Sequence, residues 1–284
     1  MSGWTAAAEH MVERLRARAA IIHPAVARAF RAVPRHVFLP AADAHRAYTH
    51  GAIATKLRDS TPISSSSDPA VMAIMIEQLD LNSGANVLEI GTGTGYNAAI
   101  LAELVGPSGR VVSVDIDDDI CSSARANLAR AGYARVQVQC RDGALGVPEQ
   151  APFGRIIVTV GIYEIASHWF DQLKPDGIIV APLWVRGAQC LVAFRKRDRL
   201  LHSRSVRWGA FMRMRGALAG PEAYITLPNG WTVSAENPSK VDTRAIEHLR
   251  GQVPEERDDL AERIGPSVSA FPSSLPLRTL GSLC

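Results

Sequence analysis

The sequence predicts an α/β fold: a largely parallel sheet with an antiparallel edge hairpin, N-terminal helices and a small C-terminal α+β extension. Three observations carry this. From residue 86 onward, short β-branched runs (Val87 to Ile90, Val111 to Val114, Val136 to Val138, Ile156 to Val160, Ile178 to Ala181) alternate with helical stretches, as in sheets covered by crossover helices on both faces. The first run enters a glycine-rich turn, Gly91 to Gly95, that opens a helical stretch from Ala98 to Leu104. After Pro182 the segments Gln189 to Phe194 and Leu200 to Arg207 flank the charged stretch Arg195 to Arg199 and read as a hairpin closing the sheet edge.

Taken in order, residues 5–32 place Met11, Leu15, Ala19 and Ile22 on one helical stripe and Val26 and Phe30 on the next, divided at His23-Pro24, so two short helices are expected. Pro34 and Pro40 punctuate an extended stretch, and Thr61 to Pro69 (TPISSSSDP) is no helix interior, because serines compete for backbone hydrogen bonds and prolines break the ladder. Asp68 is placed to cap a helix that Pro69 opens and that runs through Met72, Ile76 and Leu79. Past residue 217, Leu227-Pro228-Asn229-Gly230 marks a small hairpin between Tyr224-Ile225 and Trp231 to Val233. Ser239 with Asp242 signals a helix through Leu249, Pro254 opens another ending near Gly265, and Ser267 to Cys284 reads as a loosely ordered tail. The expected division is 1–80, a helical lead-in with an active-site loop; 81–217, the ligand-binding core; and 218–284, an extension suited to substrate recognition.

Composition narrows the function. At 284 residues the chain is long enough for a sizeable core. Thirty-one Lys+Arg against 28 Asp+Glu give a formal charge of +3, too small to make a nucleic-acid backbone the first partner to consider. Arg195, Lys196 and Arg197 accordingly read as a solvated hairpin turn rather than a nucleic-acid patch. The four cysteines (Cys121, Cys140, Cys190, Cys284) show no CxxC or Cys/His ligand spacing, so neither a metal site nor a redox pair is expected. Residues 1–20 carry charges throughout, unlike a signal peptide, and no apolar run is long enough to span a membrane. A cytoplasmic enzyme without membrane or nucleic-acid partners is expected.

The chemistry concentrates at strand ends. Glycines at 91, 93 and 95 let the backbone bend sharply and let a ligand approach where a Cβ would collide. The second strand ends at Asp115, twenty residues after Gly95, where a carboxylate can accept both hydroxyls of a ribose. A dinucleotide is not excluded by spacing: counted from Gly93, the third small residue is Ala98. Glu89, two residues before the first glycine, argues against a pyrophosphate and for the cationic ammonium or sulfonium of S-adenosylmethionine. Arg141-Asp142-Gly143 follows the third strand, and an aspartate there can accept from an adenine amino group.

These motifs together resemble the protein-L-isoaspartate O-methyltransferases. The likeness runs from Met11 to about Arg215: the lead-in MVERLRARAAIIHPAVARAFRAVPRHVFLP, Ser-x-Pro before a helix, LEIGTGTGY, RDG, RIIVTV, DQLKPDG and the edge hairpin. The resemblance implies a Rossmann-like class I methyltransferase, S-adenosylmethionine as cofactor, and an aspartyl or isoaspartyl carboxylate of a protein or peptide as acceptor. Residue by residue it implies cofactor contacts at Glu89, Gly91, Thr92, Gly93, Gly95, Tyr96, Asp115, Asp142 and Gly143, with Ser67 as the active-site serine. Two segments depart from the family pattern: Ala54 to Asp59 replaces a glycine-rich stretch, and Gly161-Ile162-Tyr163 replaces an Ala-Ala-Pro. The run SSSS-x-P and the C-terminal addition resemble a bacterial branch that methylates an aspartate in a ribosomally made precursor, which then cyclises to an aspartimide. A small-molecule O- or N-methyltransferase on the same fold is the alternative. His50 and Arg58 read as surface residues. A carboxylate is already an ionised nucleophile at neutral pH, so no general base is expected.

Overall fold

The computed structural model describes residues 3–49, 51–58, 61–185, 188–221, 223–226, 232–235 and 244. Two helices open the chain, α1 (Gly3–Ala17) and α2 (Pro24–Ala32), with Pro24 supplying a first-turn position whose missing N–H costs nothing. The stretch between Pro34 and Pro40 is not extended as expected: it winds into a short 3-10 turn at Arg35–Phe38, and a second, Ala41–Arg46, follows Pro40. Next comes a hairpin that the serine run concealed, β1 (Ile53–Arg58) antiparallel to β2 (Thr61–Ser66), in which Ser64 and Ser66 are buried. Helix α3 (Pro69–Leu79) follows, and Asp68 caps it as predicted by accepting from the Ala70 N–H at 2.8 Å.

The central sheet is formed by β3 (Asn86–Ile90), β4 (Arg110–Asp115), β5 (Gln137–Cys140), β6 (Phe153–Val158), β7 (Leu173–Val185), β8 (Ala188–Arg197) and β9 (Leu200–Trp208), in the order β5-β4-β3-β6-β7-β8-β9. The pairings from β5 to β7 are parallel and the last two antiparallel. Helices α4 (Tyr96–Val105), α5 (Asp118–Arg130) and α6 (Ser167–Gln172) connect the strands. Because side chains alternate across a strand, Val87, Val111, Ile157 and Ile178 pack with Phe30, Met75 and Leu101 on one face, while Leu88, Val112, Ile156 and Ile179 pack with Trp169 on the other. This parallel sheet covered on both faces is the Rossmann-like fold expected.

Several boundaries need correction: the fourth expected run is strand β6 from Phe153 to Val158, and the fifth is the longer β7 from Leu173 to Val185. The third strand begins at Gln137, one residue late, and the basic run Arg195-Lys196-Arg197 lies in β8 rather than in the turn. Register shows why: Arg195 faces His202 and Arg197 faces Leu200, so the turn shrinks to Asp198-Arg199, with Asp198 in the left-handed region at φ 53°.

The chain divides into two units, residues 1–219 and 220–284, so the lead-in and the core belong to one body. In the second unit β10 (Ala223–Thr226) pairs antiparallel with β11 (Thr232–Ala235), the hairpin expected there. His50, the tail and the helices expected at 239–249 and 254–265 lie outside the described residues, apart from Arg244, which is helical.

Candidate active site

In this sheet the chain leaves β3 for β4 and β5, then crosses back to β6 on the other side of β3. Ligands of open parallel sheets bind at such a reversal, outside the carboxyl ends of the strands. The sequence-selected residues Gly91, Asp115 and Asp142 all follow or end strands on this edge.

The glycine turn needs its glycines for space as well as for conformation. Gly91 sits at φ 101°, and a Cβ there would meet Thr159 Oγ1 at 2.6 Å; that hydroxyl donates to the Gly91 carbonyl, also at 2.6 Å. Gly93 sits at φ 51°, with the Ser65 carbonyl 3.4 Å from where its Cβ would be. The hairpin strand β2 is thus pressed against the turn. Gly95 caps α4 from the left-handed region and packs on Leu128 of α5.

Beneath the turn lies a buried polar network. Glu89 accepts from Asn97 Nδ2 at 2.7 Å and from Ser113 Oγ at 2.5 Å, and Ser113 Oγ pairs with Thr92 Oγ1 at 2.6 Å. Burial pushes the Glu89 carboxyl up from 4.5 to about 7, against the opposing pull of those two hydrogen bonds. Glu89 is 0% exposed, which corrects the expectation that it faces a ligand's positive charge: it braces the turn from below. Thr92 and Tyr96 likewise point inward. Tyr96 packs against Phe38 with ring centroids 5.5 Å apart, leaving only backbone atoms of these two residues for a ligand.

Above the turn stand the acidic strand ends. Asp115 accepts from the Gly93 N–H and the Ile116 N–H, each at 2.9 Å, and burial raises its carboxyl's pKa against these bonds. Asp142 accepts from Ala144 N–H at 2.9 Å and from Ala217 N–H at 2.8 Å, which draws the segment after β9 back over the third strand end. Gly143 leaves no room for a side chain, since a Cβ would meet Ile90 Cγ2 at 2.7 Å. Beside the two acids, Ile116 and Leu145 are large apolar side chains left exposed. Carboxylates flanked by apolar surface suit a group with a diol and a flat heteroaromatic ring, so the residues present fit an adenosyl cofactor.

Ser67 is half-buried, and among the described residues its hydroxyl has no hydrogen-bond partner. Its backbone is held from below by Arg35, which sequence reasoning passed over. This guanidinium, 0% exposed, donates to the carbonyls of Ala47 (2.6 Å), Gly51 (2.9 Å) and Ser67 (3.0 Å) and lies 5.8 Å from the Tyr96 ring centroid. One side chain therefore ties lead-in, active-site strand and glycine turn together. Its signal in sequence was a lone arginine within the apolar stretch Val33 to Leu39.

A second tie was also missed. Asp117 receives Lys56 Nζ from β1 at 3.0 Å and a bidentate Arg215 at 3.0 and 2.9 Å, and Lys56 reaches Asp119 at 2.7 Å. The Arg215 fork, then Lys56, pulls the Asp117 carboxyl down to about 2. Lys56 belongs to the departing segment Ala54 to Asp59. In the other departing segment, Tyr163 stacks on Trp184 at 5.9 Å between centroids and 14° between planes.

Comparison with known proteins decides the assignment. The profile of the family Protein-L-isoaspartate(D-aspartate) O-methyltransferase matches residues 6–214. The chain belongs to that family. Among its relatives are proteins named protein-L-isoaspartate O-methyltransferase from Methanopyrus kandleri, 40% identical over 68% of this chain and 83% of that one, and from Thermotoga maritima, 39% identical over 61% and 55%. A solved protein-L-isoaspartate O-methyltransferase is 32% identical, with a TM-score of 0.66 over 78% of this chain and 74% of that one. A Plasmodium falciparum structure in complex with S-adenosyl-L-homocysteine, 16% identical with a TM-score of 0.64 over 73% of this chain and 97% of that one, shares the fold. The protein-L-isoaspartate O-methyltransferase family consists of S-adenosylmethionine-dependent carboxyl methyltransferases, so cofactor and reaction class follow from membership. Its match ends at 214, just before the Arg215 that clasps Asp117 and the Ala217 that clasps Asp142. Among the described residues, no helix is long and apolar enough to cross a membrane.

Proposed function

We propose that this chain methylates the side-chain carboxylate of an isoaspartyl or aspartyl residue in a protein or peptide, with Ser67 orienting the acceptor. The observation that carries the reading is the Arg35 clamp. It fixes the Ser67 backbone, two residues after the Ser65 carbonyl that lies against the glycine turn, and leaves a hydroxyl that has no partner among the described residues available to the acceptor.

S-adenosylmethionine, when bound, supplies an electrophilic methyl group on a sulfonium. The chain's own residues do the rest. Asp115 is placed for the ribose hydroxyls, Asp142 and Gly143 for the adenine side, and the backbone from Gly91 to Gly95 lets the ligand approach closely, while Glu89, Thr92 and Tyr96 hold that backbone from beneath. The acceptor carboxylate arrives ionised, since its ordinary pKa lies near ~4. Ser67 donates a hydrogen bond to one carboxylate oxygen, leaving the other free to attack. Positioning of this kind contributes ~7 to 11 kcal/mol without any proton transfer.

We infer further that the acceptor belongs to a dedicated, ribosomally made precursor peptide. Residues 215–284 extend beyond the family match, and both departing segments change the acceptor side rather than the cofactor side. In such a precursor the methyl ester is an activated carbonyl. The backbone nitrogen of the next residue attacks it, the C–N bond forms, methanol leaves with the amide proton, and an aspartimide ring results. Residues 218–284 serve recognition of that precursor.

The test is transfer of tritiated methyl to a short isoaspartyl peptide and, separately, to a candidate precursor. Labelling of at least one is expected, with Ser67→Ala lowering kcat by ~10-fold or more while S-adenosyl-L-homocysteine affinity stays within about twofold. Equal loss of affinity and turnover in that variant would remove Ser67 from the acceptor site.

A further inference from the structure

We propose that the open edge of β9 is the docking strand for an acidic, extended segment of the polypeptide substrate; this deepens the preceding reading and rests on it. The basic run of β8 and β9, which the proposed chemistry leaves unused, is the starting point.

Strand β9, nine residues long, ends the sheet, with no further strand beyond it among the described residues. A long edge offers unpaired N–H and C=O groups to any extended chain, and proteins commonly guard such edges with charge. Here the guard is of one sign. Strand β9 itself carries Arg204 and Arg207 and no acid, while Arg195, Lys196 and Arg197 in β8 and Arg199 in the turn stand beside it against a single acid, Asp198. Lys196 is committed to the Phe170 and Leu173 carbonyls at 2.6 and 2.9 Å. Arg204 stands 3.4 Å from Asp80, and Arg197 4.0 Å from Asp176. The Nε of Arg195 is buried without a hydrogen-bond partner among the described residues. The guard is also incomplete: Leu200, Val206 and Trp208, 63%, 52% and 55% exposed, place apolar surface at both ends of the edge, with Arg207 between the last two. A surface made only to repel other strands would not leave three large apolar side chains exposed along it. An edge strand with two arginines, no acid and exposed apolar side chains at Leu200, Val206 and Trp208 instead complements an extended segment in which acidic and apolar residues alternate, the pattern of β-strand addition.

Direction links the edge to the active site. Strand β9 is antiparallel to β8, and β8 to β7, so β9 runs with β7 and its Trp208 end lies at the carboxyl edge of the sheet. Four strand spacings separate β9 from β3 in the order β3-β6-β7-β8-β9, roughly 19 Å, which about six extended residues span. The chain makes most of this crossing itself: after Trp208 it returns to the end of β6, where Gly161 N–H donates to the Met212 carbonyl at 2.8 Å. A substrate docked on β9 therefore carries its acceptor residue about six or more residues beyond the docked segment.

The experiment uses the full chain and a fluorescein-labelled peptide of alternating Glu and Val with an apolar end and no aspartyl residue, so that its binding does not depend on methyl transfer. Fluorescence anisotropy should detect saturable binding that weakens with salt. The double variant R204E/R207E should raise Kd ~10-fold or more; Trp208→Ser, at an exposed position, should raise it severalfold. Both variants should keep wild-type S-adenosyl-L-homocysteine affinity and wild-type methylation of a short isoaspartyl peptide. In a substrate that carries the acidic segment, the gain in kcat/KM should vanish when the spacer to the acceptor falls below about six residues. The proposal is overturned by absence of peptide binding, by retention of binding in both variants, by displacement of the peptide by single-stranded DNA of equal charge, or by a dimer of this chain that must dissociate first. If instead the peptide binds but no isoaspartyl peptide or precursor is labelled, the methyl-transfer reading fails while the docking edge stands.

Discussion

Replacing Glu89 with Gln should make this protein more stable at neutral pH while changing little near pH 5. Burial raises the Glu89 carboxyl from 4.5 to about 7. Between those values the folded chain retains a proton that the unfolded chain has lost, so stability falls as pH rises through the window. At 1.36 kcal/mol per pH unit, the step from 4.5 to about 7 corresponds to about 3 kcal/mol, an upper figure for one fully buried group. Glutamine reproduces the protonated state. Its Oε1 can accept from Asn97 as Glu89 does, its Nε2 can donate to Ser113 Oγ, and the Ser113 hydroxyl can turn toward Thr92, with which it already pairs. The substitution thus leaves every member of the network with a partner. Urea unfolding of both proteins at half-unit steps from pH 5 to 8 isolates the site, because other titrating groups are common to both. The difference should open between pH 5 and 7 in favour of E89Q and level off above. A difference independent of pH, or one favouring the wild type at pH 8, refutes the account of a buried carboxyl that sheds its proton at a cost.

Other expectations follow from the two ties across the site. Arg35→Lys keeps a cation but not the fork that spans three carbonyls, so kcat should fall ~10-fold or more while S-adenosyl-L-homocysteine binds nearly as before; calorimetry beside steady-state assays separates the two. Asp117→Asn should lower kcat/KM for an isoaspartyl peptide, most clearly at low salt, while dissociation of S-adenosyl-L-homocysteine in stopped-flow measurements stays within about twofold of wild type. The same variant should also lose less stability on acidification, since the Asp117 carboxyl, held at about 2, contributes above its unfolded value near 3.8 and loses that contribution as pH falls toward 2. Gly93→Val, which places a branched side chain at φ 51° against the Ser65 carbonyl, should weaken both cofactor binding and turnover, measured by the same two assays.

What the sequence disclosed and what it withheld divide by distance along the chain. The glycine turn, the acidic strand ends and the Asp68 cap are local patterns in which a few neighbouring residues dictate a backbone path, and all three stand where expected. The hairpin β1-β2 escaped because TPISSSS lacks the alternation of a half-buried strand; Ser64 and Ser66 are buried polar residues whose strand character depends on pairing with Ile53 to Lys56. Arg35 escaped for a stronger reason. Its partners lie 12, 16 and 32 residues away, and nothing in the local pattern shows which carbonyls a buried guanidinium will find.

The same distinction explains how cofactor and acceptor chemistry can vary independently in this chain. Glu89, Asn97, Ser113 and Thr92 form a hydrogen-bonded set within β3, the glycine turn, α4 and β4, so the turn is braced from below by residues near it in the chain. The acceptor side instead rests on long-range ties through Arg35 and Asp117, and their partners lie in the lead-in, in β1 and β2, and in the segment after β9. A substitution such as Lys56 in β1 adds a strap to Asp117 without touching the turn. Substrate choice can therefore shift by changing the straps and the edge strand while the methyl donor's cradle stays fixed, and the two departing segments, Ala54 to Asp59 and Gly161 to Tyr163, lie where such shifts leave the cradle intact.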